Sequence, residues 1–127
     1  MSSYEREASL KEANRCVGRL REFVQFGLGQ LNRFCSVDGR LDSVLLDRHQ
    51  LSCYELAFCS AEVAASEAVC RYASEAGNQD DFAVDAALAF TAEALDSTWK
   101  RLLARAGDLG IDYGELTRLY QTSGLEE

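Results

Sequence analysis

The sequence predicts an all-α fold, an antiparallel up-down bundle of three long helices followed by a short C-terminal helix. Three observations carry this expectation. None of the 127 residues is proline, so nothing forces a break inside a helix. Apolar residues recur at steps of three and four over long stretches, which lines them along one helix face, while the period-two alternation of a half-buried strand is absent. The segments between these stretches are short and rich in glycine, aspartate and asparagine, so consecutive helices are expected to pack as antiparallel neighbours.

The first helix is built on Leu10, Ala13, Val17, Leu20, Val24, Leu28, Leu31 and Cys35. Ser9-Leu10-Lys11-Glu12 has the form of a capping box, and Ser2 or Ser3 offers a start one or two turns earlier. Gly18, Gly27 and Gly29 weaken this helix, each by up to about 1 kcal/mol relative to alanine. The stretch from Phe26 to Gln30 is therefore expected either to bend or to pack unusually close to a neighbour. Ser36-Val37-Asp38-Gly39 reads as a turn. A second helix then runs from Asp42 or Ser43 to Ala76, with Gly77 as its left-handed cap and Asn78-Gln79-Asp80 as the next turn.

Asp80 or Asp81 opens the third helix, which continues to about Leu109 on a stripe of Val84, Leu88, Thr91, Leu95, Trp99, Leu102 and Ala106. Its acids lie early, at Asp81 and Asp85, and its bases late, at Lys100, Arg101 and Arg105, an order that suits the helix dipole. Gly110 ends it. Asp112-Tyr113-Gly114-Glu115 resembles a further capping box, ahead of a short helix through about Tyr120. Nothing repeats and no linker divides the chain, so residues 1–127 are expected to form a single domain. A bundle of this length buries about two thirds of its unfolded surface and needs no staple.

The net charge of -8 argues against nucleic acid as a partner, because neutralising phosphates takes clustered lysine and arginine. The charge is unevenly placed: residues 1–33 hold Lys11 and five arginines against four glutamates, and the chain beyond Arg33 is mostly acidic. No run approaches the eighteen or so apolar residues that span a bilayer, and the N-terminus has no signal-peptide core. No membrane partner is expected, and the location expected is cytoplasmic. The five cysteines, Cys16, Cys35, Cys53, Cys59 and Cys70, are odd in number and lack C-x-x-C spacing, against a disulfide framework or a zinc site. They read as small buried hydrophobes. Cys16, beside Arg15 and Arg19, is the only one whose surroundings suggest a lowered thiol pKa.

No nucleotide loop, nucleophile elbow or metal spacing is present, so no catalytic residue, metal or cofactor is expected, and the chain leans away from being an enzyme. His49 is the only histidine, too few for a di-iron bundle site. Asp47-Arg48-His49-Gln50 nonetheless sets four hydrogen-bonding side chains around one turn of an otherwise apolar helix, and Arg48, His49 and Gln50 are a candidate polar site. Glu55 and Glu62 lie seven apart, with Arg48 a further heptad earlier. They read either as the solvent stripe of a nearly buried helix, or as an interaction site whose mates are a basic stripe of Lys11, Arg15 and Arg19 on the first helix. The alanines at 57, 61, 64, 65 and 68 would let neighbouring helices approach closely, making this second helix the centre of the bundle.

The segments His49-Gln50, Tyr54-Glu55-Leu56-Ala57, Ala61-Glu62-Val63-Ala64-Ala65 and Ala86 to Ala94 precede Gly110-Ile111-Asp112-Tyr113 and Glu115-Leu116-Thr117-Arg118-Leu119-Tyr120. In that order they resemble the C-terminal helical domain of the acyl-CoA dehydrogenases, over about two thirds of the chain. The arginine motif with which that family binds flavin has no counterpart here, and the segment bearing its catalytic glutamate would fall beyond Tyr120. The resemblance therefore implies a bundle without the catalyst. Two functional expectations arise. One is a non-catalytic helical protein that acts by self-association as a homo-oligomer or by binding a larger protein partner. The other is an acyl-CoA dehydrogenase-like accessory subunit that contributes to a flavin or acyl-CoA site on another chain.

Overall fold

The computed structural model describes residues 1–76 and 80–123. The cap expected at Gly77 and the turn at Asn78-Gln79 lie outside the described residues. Helix α1 spans Ser3–Phe34, a two-residue hairpin pairs β1 (Ser36–Val37) with β2 (Arg40–Leu41), and α2 spans Ser43–Arg48. Helices α3 (Gln50–Ala76), α4 (Asp81–Ala104) and α5 (Tyr113–Ser123) complete the order. The three long helices α1, α3 and α4 pack on one another as an up-down-up bundle.

α1 takes the earlier of its two possible starts. The Ser2 hydroxyl accepts from the Glu5 N–H at 3.1 Å, and the Glu5 carboxylate accepts from the Ser2 N–H at 3.0 Å, closing a capping box there rather than at Ser9. The helix runs unbroken through its three glycines because Gly27 is a contact point. A Cβ on Gly27 would sit 2.6 Å from Leu56 Cδ2 and 2.8 Å from Leu102 Cδ2, so the missing side chain is what lets α3 and α4 close on α1. The buried face is Ala13, Cys16, Val17, Leu20, Phe23, Val24 and Gly27. Leu28, expected in the core, is exposed. A 3.6-residue period rotates the contact face onto Phe23 and Gly27 by that point.

Asp38 (φ 52°) and Gly39 (φ 78°) are both left-handed, as the tight turn of a β-hairpin requires. Asp-Gly is a favoured pair for this turn, but a ladder of two residue pairs is too short to leave any alternation in the sequence. The helix expected from residue 42 or 43 to 76 is interrupted at His49 (φ -112°, ψ 32°), whose N–H is shared between the carbonyls of Leu45 and Leu46 at 3.2 and 3.1 Å. Neither proline nor glycine marks this break.

Asp80 caps α4, its carboxylate accepting from the Ala83 N–H at 3.1 Å. The α-helix ends at Ala104, and helical turns continue to Leu109. There the Ile111 N–H reaches back to the Ala106 carbonyl at 2.8 Å across Gly110 at φ 63°, a Schellman closure. The Gln30 amide donates to the Leu109 and Gly110 carbonyls, tying this turn to α1. One core cluster joins Leu20, Phe23, Leu56, Leu95, Leu102 and Leu116. A second, made mostly of alanine and cysteine, joins Ala13, Val17, Cys70, Ala73, Ala83 and Ala87 at the other end. α5 covers the first cluster through buried Leu116 and through Tyr120, whose ring lies 4.4 Å from Trp99.

Candidate functional site

The inward seam of α3 is Ser52, Leu56, Cys59, Val63, Ser66, Cys70 and Ala73. Its steps of four and three are those of a helix buried along one edge. The opposite edge repeats the same steps. Tyr54, Ala57, Ala61, Ala64, Ala68, Arg71 and Glu75 all face solvent, flanked by exposed Leu51, Phe58 and Tyr72. Leu51, Tyr54 and Tyr72 are 65%, 66% and 63% exposed. The expectation of a central helix covered on most sides is therefore corrected. α1 and α4 cover one side of α3, and the side away from them is open, and apolar from Tyr54 to Ala68.

Polar contacts rim this face. On the α4 side Arg101 pairs with Glu55, and its guanidinium lies 3.9 Å from the centre of the Phe58 ring. Beside it a groove of about 400 Å³ is lined by Phe58, Glu62, Phe90, Glu93, Ala94 and Ser97. On the α1 side Arg21 pairs with Glu67 at 2.6 Å. An apolar centre with a charged rim is the anatomy of a protein interface.

The expected mates of Glu55 and Glu62 are corrected as well. Gly27 lies against Leu56 and Ala13 packs in one cluster with Cys70 and Ala73, so α1 and α3 are antiparallel and residues 11–19 sit at the far end of α3 from Glu55. Arg15 binds Glu12 and Arg19 binds Glu22, each on its own helix, and Lys11 lies beside Tyr4 and Glu7. Glu55 and Glu62 turn toward α4 and are half-buried, not a solvent stripe. Glu62 Oε2 is buried without a hydrogen-bond partner among the described residues. Loss of hydration raises the pKa of its carboxyl, against a smaller downward pull from Arg101. The break at His49 takes Arg48 off this line.

Arg48 and Gln50 are exposed and line a shallow depression with Asp47, Leu51, Arg105 and Asp108. His49 turns inward. Its Nδ1 lies 3.0 Å from Asp108 Oδ1, off the line of a hydrogen bond, and buried Ser52 donates its hydroxyl to the other oxygen of Asp108. The Ser52 bond lowers the Asp108 pKa first and His49 adds to it. Serine, aspartate and histidine meet here in the wrong order for nucleophilic catalysis. The hydroxyl bonds the carboxylate rather than the imidazole, and a carboxylate whose pKa is lowered is a weak base for drawing off the hydroxyl proton. The cluster instead pins the turn after α4 to the α2–α3 junction. It was invisible in the sequence because Asp108 is more than fifty residues from both partners.

Cys16 does not have the activated thiol suggested by its neighbours. It is buried, and burial, together with the charge of Glu12, pushes its pKa up more than Arg15 lowers it. Burial likewise raises the other four thiols. Among the described residues no helix is long and apolar enough to cross a membrane. Set against known proteins, the chain matches no family model, and neither a curated protein nor a solved structure shows significant similarity to it.

Proposed function

We propose that this chain works by association, presenting the outward face of α3 to a larger protein or to another copy of itself. One observation carries the proposal: the face is continuous, apolar and free of charge from Tyr54 to Ala68, on a chain whose net charge is -8. Solvated helix faces carry charges at most exposed positions, and an uncharged run of this length with exposed tyrosine and phenylalanine marks a contact surface. The unactivated thiols, all but half-buried Cys53 fully buried, and the misordered Ser52-Asp108-His49 cluster favour this role over catalysis.

The test is a photo-crosslinking amino acid placed in the native host at Tyr54 or Tyr72, with exposed Gln25 on α1 as the control position. Adducts from positions 54 and 72 that are absent from position 25 are expected. Their absence from the α3 positions would overturn the proposal. The accessory role implied by the acyl-CoA dehydrogenase resemblance is read by the same adducts: the crosslinked partner would be a flavoprotein or an acyl-CoA enzyme.

A further inference from the structure

Building on the association reading, we infer that the occupant of this face is a second copy of the chain, with the two α3 helices packed antiparallel about a twofold axis. The argument begins with side-chain size. A twofold axis crossing α3 between residues 62 and 63 sets Ala61 against Ala64 of the second copy and Ala57 against Ala68. It also sets Tyr54 against Arg71 and Gln50 against Glu75. In the flanking row, displaced by about 3 Å along the axis from direct opposition, Phe58 comes nearest Ala65, and Leu51 nearest Tyr72. Small residues meet at the centre, where two backbones can approach closely, and Phe58 is matched by an alanine. Such self-complementarity is what an isologous interface demands.

Charge selects the same arrangement. A parallel in-register pair would stack Arg71 on Arg71 and Glu75 on Glu75. The antiparallel pair places each Arg71 over a Tyr54 ring, a favourable cation–π geometry, and each Glu75 beside an amide. The face itself carries one arginine and one glutamate, so two copies that each bear -8 meet where they do not repel. A basic partner would be drawn to the acidic surfaces instead.

Area sets the strength. From Leu51 to Tyr72 the helix is roughly 33 Å long and 10–12 Å wide, a footprint per copy well under the roughly 800 Å² that stable complexes bury on each side. The dimer is therefore weak, and the measurement has to reach about 0.5 mM, where a complex of Kd near 100 μM is mostly formed.

Sedimentation equilibrium from 1 μM to 0.5 mM tests the dimer, and cysteine crosslinking tests its geometry. The wild type is expected to pass from monomer to dimer, and Ala61→Glu/Ala64→Glu, which alters only exposed positions, is expected to stay monomeric with unchanged helical circular dichroism. In a Cys53→Ser background, Ala57→Cys mixed with Ala68→Cys is expected to form a disulfide, while neither does so alone, because identical positions are offset by about 16 Å along the axis. Disulfides from each variant alone, and not from the mixture, would overturn the antiparallel register. A wild type monomeric throughout, together with heterologous adducts at Tyr54, would overturn the dimer and leave the association proposal standing. A dimer that survives Ala61→Glu/Ala64→Glu would overturn the dimer seam, and absence of Tyr54 adducts in addition would overturn the wider proposal.

Discussion

Replacing the glycines of α1 by alanine, one at a time, asks whether the bundle is held as close as its geometry implies. All three lie inside a helix, so each substitution gains the same helix propensity, about 0.5–1 kcal/mol. They differ in what the new methyl meets. At Gly18 and Gly29 nothing lies within 4 Å, whereas at Gly27 the methyl runs into Leu56 and Leu102. Both obstacles are ends of leucine side chains, which can rotate only by displacing their own neighbours in the core. Overpacking of this kind costs about 1–3 kcal/mol. Because propensity cancels between the variants, Gly27→Ala should fall below Gly18→Ala by that cost alone. With an unfolding entropy of about 2.1 cal/mol/K per residue, 1 kcal/mol in a chain of this length corresponds to about 4 °C in Tm. Calorimetry or thermal circular dichroism should place Gly18→Ala and Gly29→Ala about 2–4 °C above the wild type, and Gly27→Ala about 4–11 °C below those two. Equal stabilisation by all three would refute the close approach of α3 and α4 at Gly27.

Three further outcomes are expected. Glu62→Gln removes a carboxyl whose folded pKa is raised, so the wild-type carboxyl favours folding fully below its unfolded pKa and loses that contribution as pH rises through the folded value. Urea melts should show the variant more stable at pH 7, with the gain gone in acid. Asp108 has the opposite sign: its folded pKa is lowered, so its contribution is present above the unfolded value and lost as pH falls through the folded one. Asp108→Asn should destabilise at pH 7, and the gap to the wild type should close as acid protonates Asp108 in the wild type. Gly110→Ala meets both a left-handed backbone and the Phe34 ring, and a loss of about 2 kcal/mol or more is expected in denaturant titration.

The sequence by itself determined the all-α class, the long helical stretches though not the division of the second at His49, the turns at Gly39 and Gly110, and a cap at Asp80 or Asp81, because these rest on interactions within a few residues of one another. It also held the alanines and aromatic residues of α3 in plain view. Whether those residues are core or surface is another matter. A helix carrying apolar residues on two opposite edges has no single amphipathic face to read, and only the placement of α1 and α4 decided that Ser52, Leu56 and Cys59 point inward while Tyr54, Ala57 and Ala61 point out. The same holds for Arg101 as the mate of Glu55, for Asp108 as the anchor of His49, and for Gly27 as a contact rather than a bend. Each is a meeting of residues more than twenty-five apart along the chain, and its energy depends on interhelical distance and rotation, which no local pattern of residues encodes.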